Sequence, residues 1–461
     1  MSAPAAPTSA TPAGRPARPT PGGPPHGPPP GPSSPPAPGR AARPRQDQRV
    51  PAAPKGDGDV AGSRAPRPER TALFVTNRRH LGSGKGGVQI ATAEFIAVFE
   101  AMGFAVQPFA VDVDRGLGTR LMRRLCSSPY CGAMDRSARQ TLAAAAADAA
   151  LVLVNQVTLA GEVVRALRAL GADRPPVVVL SHGAEITDML HLARLRRALP
   201  LSGRLAPTAA TALGATMLHE AKAREGIDGV VAISPADVAF ERWLGAPNVV
   251  WVPRTVVPDP LDWAPCGGRF GFVGTLDHAP NLEGLCDVLA ALPESAARDL
   301  EIRIVGGPPA TGEWLARTYP LATYLGPLDE AALVAEARSW AAFLHPIFAS
   351  PRGASTKLAR PLAWGLPIVT TPDGRRGYVF DEGGLMEADT PEAFVDMMIA
   401  LKDELRRARA REDVLEAARH SPSIEDVARF LRAYLDARIF VGGLRDVAAR
   451  SGAPPTRCAA H

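Results

Sequence analysis

The chain has 461 residues, 46% hydrophobic and 21% charged, with 47 prolines, 43 glycines and five cysteines. That length exceeds one typical domain, so two globular domains with extensions are expected. The net charge of +5 belongs to the first 70 residues, which hold ten Lys/Arg against four Asp/Glu; the rest is close to neutral, and no nucleic-acid partner is expected for it.

Residues 1–68 contain twenty of the prolines, set among Gly, Ala, Ser and Arg. Such a stretch cannot bury enough apolar surface to offset its ordering entropy, so a disordered tail is expected. Its basic residues leave room for peripheral contact with acidic lipid. Fold signals begin with the apolar strand Thr71–Thr76, a Gly-rich loop, and a helix over Val88–Met102 whose Phe95, Val98, Phe99 and Met102 share one face. Gly103 ends that helix, and strand Phe104–Val111 completes a βαβ unit. The loop Gly82–Gly87 (GSGKGG) invites comparison with a Walker A motif. It fails, because Gly86 follows Lys85 where a Ser or Thr must hold magnesium. A Rossmann GxGxxG over Gly82, Gly84 and Gly87 is a weak signal alone.

Leu142–Val154 is Ala-rich, too short for a membrane span and interrupted by Asp148; it reads as a helix leading into strand Leu151–Asn155. A helix near Ala160–Leu170 and strand Val177–Ser181 follow. Residues just beyond a parallel strand face the ligand crevice of an open α/β sheet, which gives His182 a polar role. His191, on the next helix through Leu199, reads as a surface residue. Strand Asp228–Ser234, helix Pro235–Leu244 and strand Asn248–Val252 close this half. The stretch Pro253–Gly268, with four prolines and two glycines, marks a boundary. The expected domains are 69–258 and 259–440, with a second tail over 441–461.

The second half opens with strand Arg269–Val273, the turn GTLDHAPN from Gly274 to Asn281, and helix Leu282–Leu292. Strand Glu301–Val305 ends in Gly306-Gly307, and a turn is expected at Tyr324–Leu328. Helix Asp329–Ala337 and strand Trp340–His345 lead to the loop Gly353-Ala354-Ser355-Thr356, then Lys357, a helix, and strand Pro367–Thr371. Free backbone N–H groups and an ammonium at one helix start suit a phosphate or diphosphate oxygen. Helices around Pro391–Arg411 and Ile424–Leu435 end the body.

Gly353, Lys357, Ala363, Gly365, Pro367, Ile368, Val369 and Thr371 reproduce the pattern G-x-x-x-K, helix, A-x-G-x-P-V-V-x-T. The chain therefore resembles glycosyltransferases of family 4 (glycosyl transferases group 1), over most of residues 70–435. The resemblance implies an α/β protein with the GT-B fold: two Rossmann-like domains facing a cleft, the last helix crossing back onto the first. It implies transfer of a sugar from a nucleotide-diphosphate donor to an acceptor (glycan, lipid or small molecule), with retention of configuration, no metal and no cofactor. His182, with Glu185 three residues on, matches the strand-end His that contacts donor sugar or acceptor. His182 and Lys357 are thus the candidate catalytic residues. Gly86 and Gly87 match the glycines where backbone approaches diphosphate or acceptor. Gly274 matches a glycine whose amide lies beside the diphosphate, and Gly326 and Leu328 match a turn that meets the base. Arg352, Gly353, Ser355, Thr356 and Arg360 complete the implied donor site.

Two departures stand out. The family carries Glu-Ala where this chain has Arg360-Pro361, and that Glu grips the nucleotide ribose. Arginine cannot accept the hydrogens of ribose hydroxyls, and a proline inside a helix removes a hydrogen bond and bends it. Arg352 likewise stands at the first Glu of the family's E-x7-E motif, and no Arg or Lys follows the Gly274 turn. The alternatives are a catalytically degenerate GT-B homologue that binds a nucleotide sugar or a partner, and an ATPase built on Gly82–Gly87. The odd cysteine count argues against a disulfide framework, and Cys126 and Cys131 lack a second Cys/His pair for zinc. Free thiols and the lack of a signal-like apolar core point to the cytoplasm.

Overall fold

The computed structural model describes residues 70–440 except 83–85, 113–116, 119–120, 122–129, 131–133, 195–208 and 350–351. Both tails, Gly84 and Lys85 of the Gly-rich loop, and Cys126 and Cys131 lie outside the described residues. Strands β1 (Arg70–Asn77), β2 (Phe104–Val111), β3 (Leu151–Asn155), β4 (Val177–Ser181), β5 (Gly229–Ala232) and β6 (Val249–Trp251) form one six-stranded sheet. Its order is β2-β1-β3-β4-β5-β6. Strands β7 (Arg269–Val273), β8 (Glu301–Val305), β9 (Ala322–Gly326), β10 (Ala342–His345), β11 (Ile368–Thr370) and β12 (Met386–Glu387) form the other, ordered β12-β11-β10-β7-β8-β9. Every pairing is parallel.

Helices cover both faces of each sheet, which is why strands such as Val177–Ser181 are unbroken buried runs rather than alternating ones. Alternation survives as a division between two cores. Leu73, Val75, Val152 and Val154 join one cluster, while Ala72, Phe74, Leu151 and Leu153 join the other. The second cluster also contains Val427, Ala428, Leu431 and Leu435 of the last helix, Ile424–Arg438. That helix packs on Phe95, Val98 and Phe99 of the first, Gly87–Ala101, as the resemblance implied.

In the second sheet Trp340 is fully buried, and its indole N–H donates to Glu336 Oε1 at 3.0 Å. Gly271 on β7 faces that ring, and a Cβ there would sit 2.0 Å from it. Trp340 has nowhere to move, so Gly271→Ala should cost roughly 1–3 kcal/mol of overpacking. Urea denaturation monitored by Trp fluorescence checks this; an unshifted midpoint would refute the clash.

The reversal of strand order falls between β1 and β3 in the first sheet and between β7 and β10 in the second. Ligands of open α/β sheets bind at such points, beyond the carboxyl ends of the strands. The loops after those four strands carry Gly86-Gly87, Gln156, the Gly274 turn and the Gly353–Lys357 segment.

Several local expectations are corrected. Ala322–Gly326 is an edge strand, so the expected turn begins at its last residue. The helix expected around Pro391–Arg411 is two, Pro391–Ala400 and Glu404–Arg419, broken where Asp403 accepts from the Arg406 N–H. Helices Ala209–Ala223 and Pro309–Thr318 carry no apolar stripe strong enough to predict them. His191 is not a surface residue: its side chain is 11% exposed and lies 3.2 Å from Glu283 on the helix Ala279–Ala291. No described helix is long and apolar enough to cross a membrane, and neither Cys266 nor Cys286 forms a disulfide.

Candidate active site

A cavity of about 790 Å³ opens where the four switch-point loops meet. Gly86, Gly87, His182, Gly274, Leu328, Arg352, Gly353, Ser355, Thr356, Lys357 and Arg360 all line it. Gly326 is not among the lining residues; its carbonyl accepts the Gly306 N–H at 3.1 Å at the end of β9.

Lys357 follows the N-cap Ser355 in a single 3₁₀ turn, Thr356–Leu358, which runs into the short helix Ala359–Ala363. Pro361 sits in the first turn of that helix, where no N–H is required, and the helix ends two residues later. Two such short pieces make a weak dipole, so the positive field must come from side chains. The Lys357 ammonium donates to Asn281 Oδ1 at 2.8 Å, and Asn281 Nδ2 donates to the Thr275 carbonyl. Asn281 therefore locks the lysine to the Gly274 turn. Burial, helped by the neighbouring Arg376 charge, pushes the Lys357 pKa down to about 8. The Gly274 N–H is taken by the Val305 carbonyl, so this glycine offers space rather than an amide: a Cβ would come within 3.0 Å of Lys357 Cε.

Arg376 is the cation that the sequence did not reveal. It reaches the cavity from the loop after β11 and donates to the carbonyls of Gly353, Asp373 and Arg352 at 2.7, 2.6 and 3.1 Å. No carboxylate among the described residues pairs with it, and burial holds its pKa down at about 10. Its charge acts on Lys357. His278 is lowered to about 4 and His345 well below its ordinary value, each by burial and then by Lys357. Both imidazoles are neutral, so they add no charge to that of Lys357 and Arg376.

The other two arginines are already engaged. Arg352 pairs with Glu185 and, at 2.8 Å, with Asp188, both on the helix Glu185–Arg194 of the first lobe. Arg360 pairs with Glu330 at 2.9 Å and lies over the Trp364 ring. Beside Arg352 the two lobes meet backbone to backbone. A Cβ on Gly183 would be 2.6 Å from the Gly353 nitrogen, and one on Gly353 would be 2.7 Å from the His182 carbonyl oxygen. Both glycines have positive φ, +88° and +67°. Only residues without a side chain fit this crossing.

His182 stands edge-on to Phe95, with Nε2 2.7 Å from Asn155 Oδ1. The tautomer follows from the hydrogen-bond chain behind it. The Thr92 hydroxyl donates to the Val88 carbonyl, so it must accept from Asn155 Nδ2, which also reaches the Thr76 hydroxyl. Asn155 Oδ1 is thereby turned to His182, whose Nε2 carries the proton and whose Nδ1 is an acceptor. Burial and the nearby Arg352 charge lower His182 to about 3. Such an imidazole accepts a hydrogen bond but is a poor base at neutral pH.

Residues 267–404 match the family model described as glycosyl transferases group 1. Among solved structures, the chain is similar to a sucrose-phosphate synthase from Thermosynechococcus elongatus, at 15% identity and a TM-score of 0.56, over 81% of this chain and 100% of that one. It is also similar to WaaG, a glycosyltransferase involved in lipopolysaccharide biosynthesis, at 14% identity and a TM-score of 0.50, over 80% and 99%. At these identities the likeness shows the fold alone, and that fold is GT-B. No curated protein sequence matches the chain. The matched stretch contains β7 to β12, the Gly274 turn, Lys357 and Arg376.

Proposed function

We propose that this chain moves a sugar from a nucleoside-diphosphate donor to an acceptor, with retention and without a metal ion, in the cytoplasm. The observation that carries the reading is the pair Lys357 and Arg376, two buried cations that line the cavity and form no ion pair with a carboxylate among the described residues. As the glycosidic bond to the diphosphate breaks, negative charge grows on the leaving oxygen. Fixed cations in a partly dry site stabilise that charge without reorganisation. They supply what a divalent ion would otherwise supply. The nucleoside lies toward Gly306, Gly307, Pro327 and Leu328, and the transferred sugar toward His182.

Arg360 favours a second reading, a homologue that binds the donor without turnover. It stands at the ribose-gripping position and is already paired with Glu330. The experiment is a calorimetric screen of UDP-, GDP- and dTDP-sugars, followed by mass spectrometry of the binding mixture with and without candidate acceptors. Binding with a hydrolysed or transferred sugar supports the enzyme, and binding with intact donor supports the second reading. Absence of binding by all three nucleotides would reject both.

A further inference from the structure

Lys357 sits in a turn shaped by a side chain from another loop. Ser355 and Ala359 are four positions apart, so in an uninterrupted helix the Ser355 carbonyl would accept the Ala359 N–H. The Tyr378 hydroxyl joins the same two groups: it donates to the Ser355 carbonyl at 2.7 Å and accepts from the Ala359 N–H. A side chain inserted in this way bends a helix, and the bend falls where the 3₁₀ turn Thr356–Leu358 meets the helix Ala359–Ala363. The phenol oxygen also accepts from the Arg254 guanidinium. Tyr378 and Arg254 are both 3% exposed, and neither lines the cavity.

Arg254 belongs to the linker between the lobes and is fixed from the first of them. Its guanidinium pairs at 2.6 Å with Glu94 of the first helix, Gly87–Ala101. Thr255 donates to the same carboxylate from its N–H and its hydroxyl, each at 2.8 Å. The Arg254 N–H donates to the Gly377 carbonyl at 2.8 Å, in the loop that carries Arg376. That helix also reaches the lysine turn directly, since a Cβ on Gly87 would meet Thr356 Oγ1. The Glu94–Arg254 pair is neutral as a unit, so it acts on the site through position rather than field.

We propose that Tyr378 is a positioning residue for the two cations: held by Arg254, its hydroxyl sets the turn that presents Lys357 and ties that turn, with the Arg376 loop, to the seating of the first helix. The inference rests on the proposed function only for what the lysine binds; the placing of Lys357 can be read without a ligand.

The chain has five lysines, so carbon-13 NMR of lysine Cε atoms in the full chain follows Lys357, identified as the signal missing from Lys357→Arg. Its titration, at about 8 in the parent, should move up by about one unit in Tyr378→Phe, because the freed turn admits water to an ammonium that burial now depresses. The groups facing that ammonium, Arg376, Asn281 and the neutral His278 and His345, are the same in this variant. By calorimetry near neutral pH, affinity for whichever of UDP, GDP or dTDP binds the parent should fall about tenfold. Arg254→Lys keeps the charge but shortens the reach to the phenol, and should move both readouts the same way. Gly271→Ala is the control: it strains the same lobe at Trp340 and should change neither. Each variant is read below its own melting temperature. A Lys357 titration or a nucleotide affinity unmoved in Tyr378→Phe, or moved equally by Gly271→Ala, would reduce the phenol to packing. Should Tyr378→Phe not fold, Arg254→Lys decides by the same criterion. If no nucleotide binds while the titration moves, the proposed function falls and the positioning stands; if one binds and the titration stays, only this inference falls.

Discussion

Lys357→Ala is expected to lower turnover with any accepted donor by about 10²–10³-fold, the usual loss when one charge-stabilising donor is removed from an active site. Nucleoside-diphosphate affinity should fall too, since the leaving group is bound through the same ammonium. The folded state should not suffer. Lys357 has a pKa of about 8 in the folded chain against an ordinary 10.5. The folded chain therefore releases a proton that the unfolded chain keeps, so this residue's contribution to stability rises as pH climbs from about 8 toward 10.5. At neutral pH the ammonium is a burden on the fold, and the alanine variant should melt no lower than the parent. Binding has the opposite sign. It is full below pH 8 and weakens by up to about tenfold per unit above it, as the empty site loses its proton. His182, at about 3, and His278, at about 4, add no step between pH 5 and 8. Calorimetry with UDP or GDP from pH 6 to 10 reads this directly. A profile that is flat through pH 9 in the parent, or a variant of unchanged turnover, would remove Lys357 from the mechanism.

Gly353→Ala should damage both stability and the site. Its φ of +67° costs an L-residue about 1–2 kcal/mol. The new methyl would meet the His182 carbonyl oxygen at 2.7 Å, adding roughly 1–3 kcal/mol or forcing the lobes apart. The Gly353 carbonyl also anchors Arg376, so nucleotide affinity should drop along with the denaturation midpoint. Gly103→Ala is the control, because it shares a positive φ of +84° but has nothing within 4 Å of its Cβ position. If the two variants lose the same stability, the interlobe crossing is not tight.

Strands such as Phe104–Val111, Leu151–Asn155, Val177–Ser181, Arg269–Val273 and Glu301–Val305 were legible to the residue. They are short apolar-rich runs bounded by turn residues, a local signal. The helix Ala209–Ala223 was not legible, because its buried positions include the polar Thr216 and Glu220, which interrupt an apolar stripe. Glu220 accepts from Tyr130, 90 positions away in sequence, and from the Ile186 N–H. The same contrast runs through the site. Gly353, Ser355 and Lys357 sit in one loop, and their spacing carries the family pattern. Arg376, Asn281, Asp188 and Tyr378 matter only for what other loops bring beside them. The charges on Arg352 and Arg360 were readable, but not the carboxylates that occupy them, since Glu185, Asp188 and Glu330 arrive from separate elements.

The closing helix Ile424–Arg438 has a consequence for dissecting the molecule. It lies beyond the family match, at the far end of the sequence, yet it is the lid on the apolar side of Phe95, Val98 and Phe99. Its Arg432 even bonds the Met102 carbonyl and covers the Phe104 ring. A cut between the two sheets would yield a front fragment with a greasy open flank and a rear fragment dragging an orphan helix. The polypeptide is threaded so that neither half is whole until residue 438 has been made.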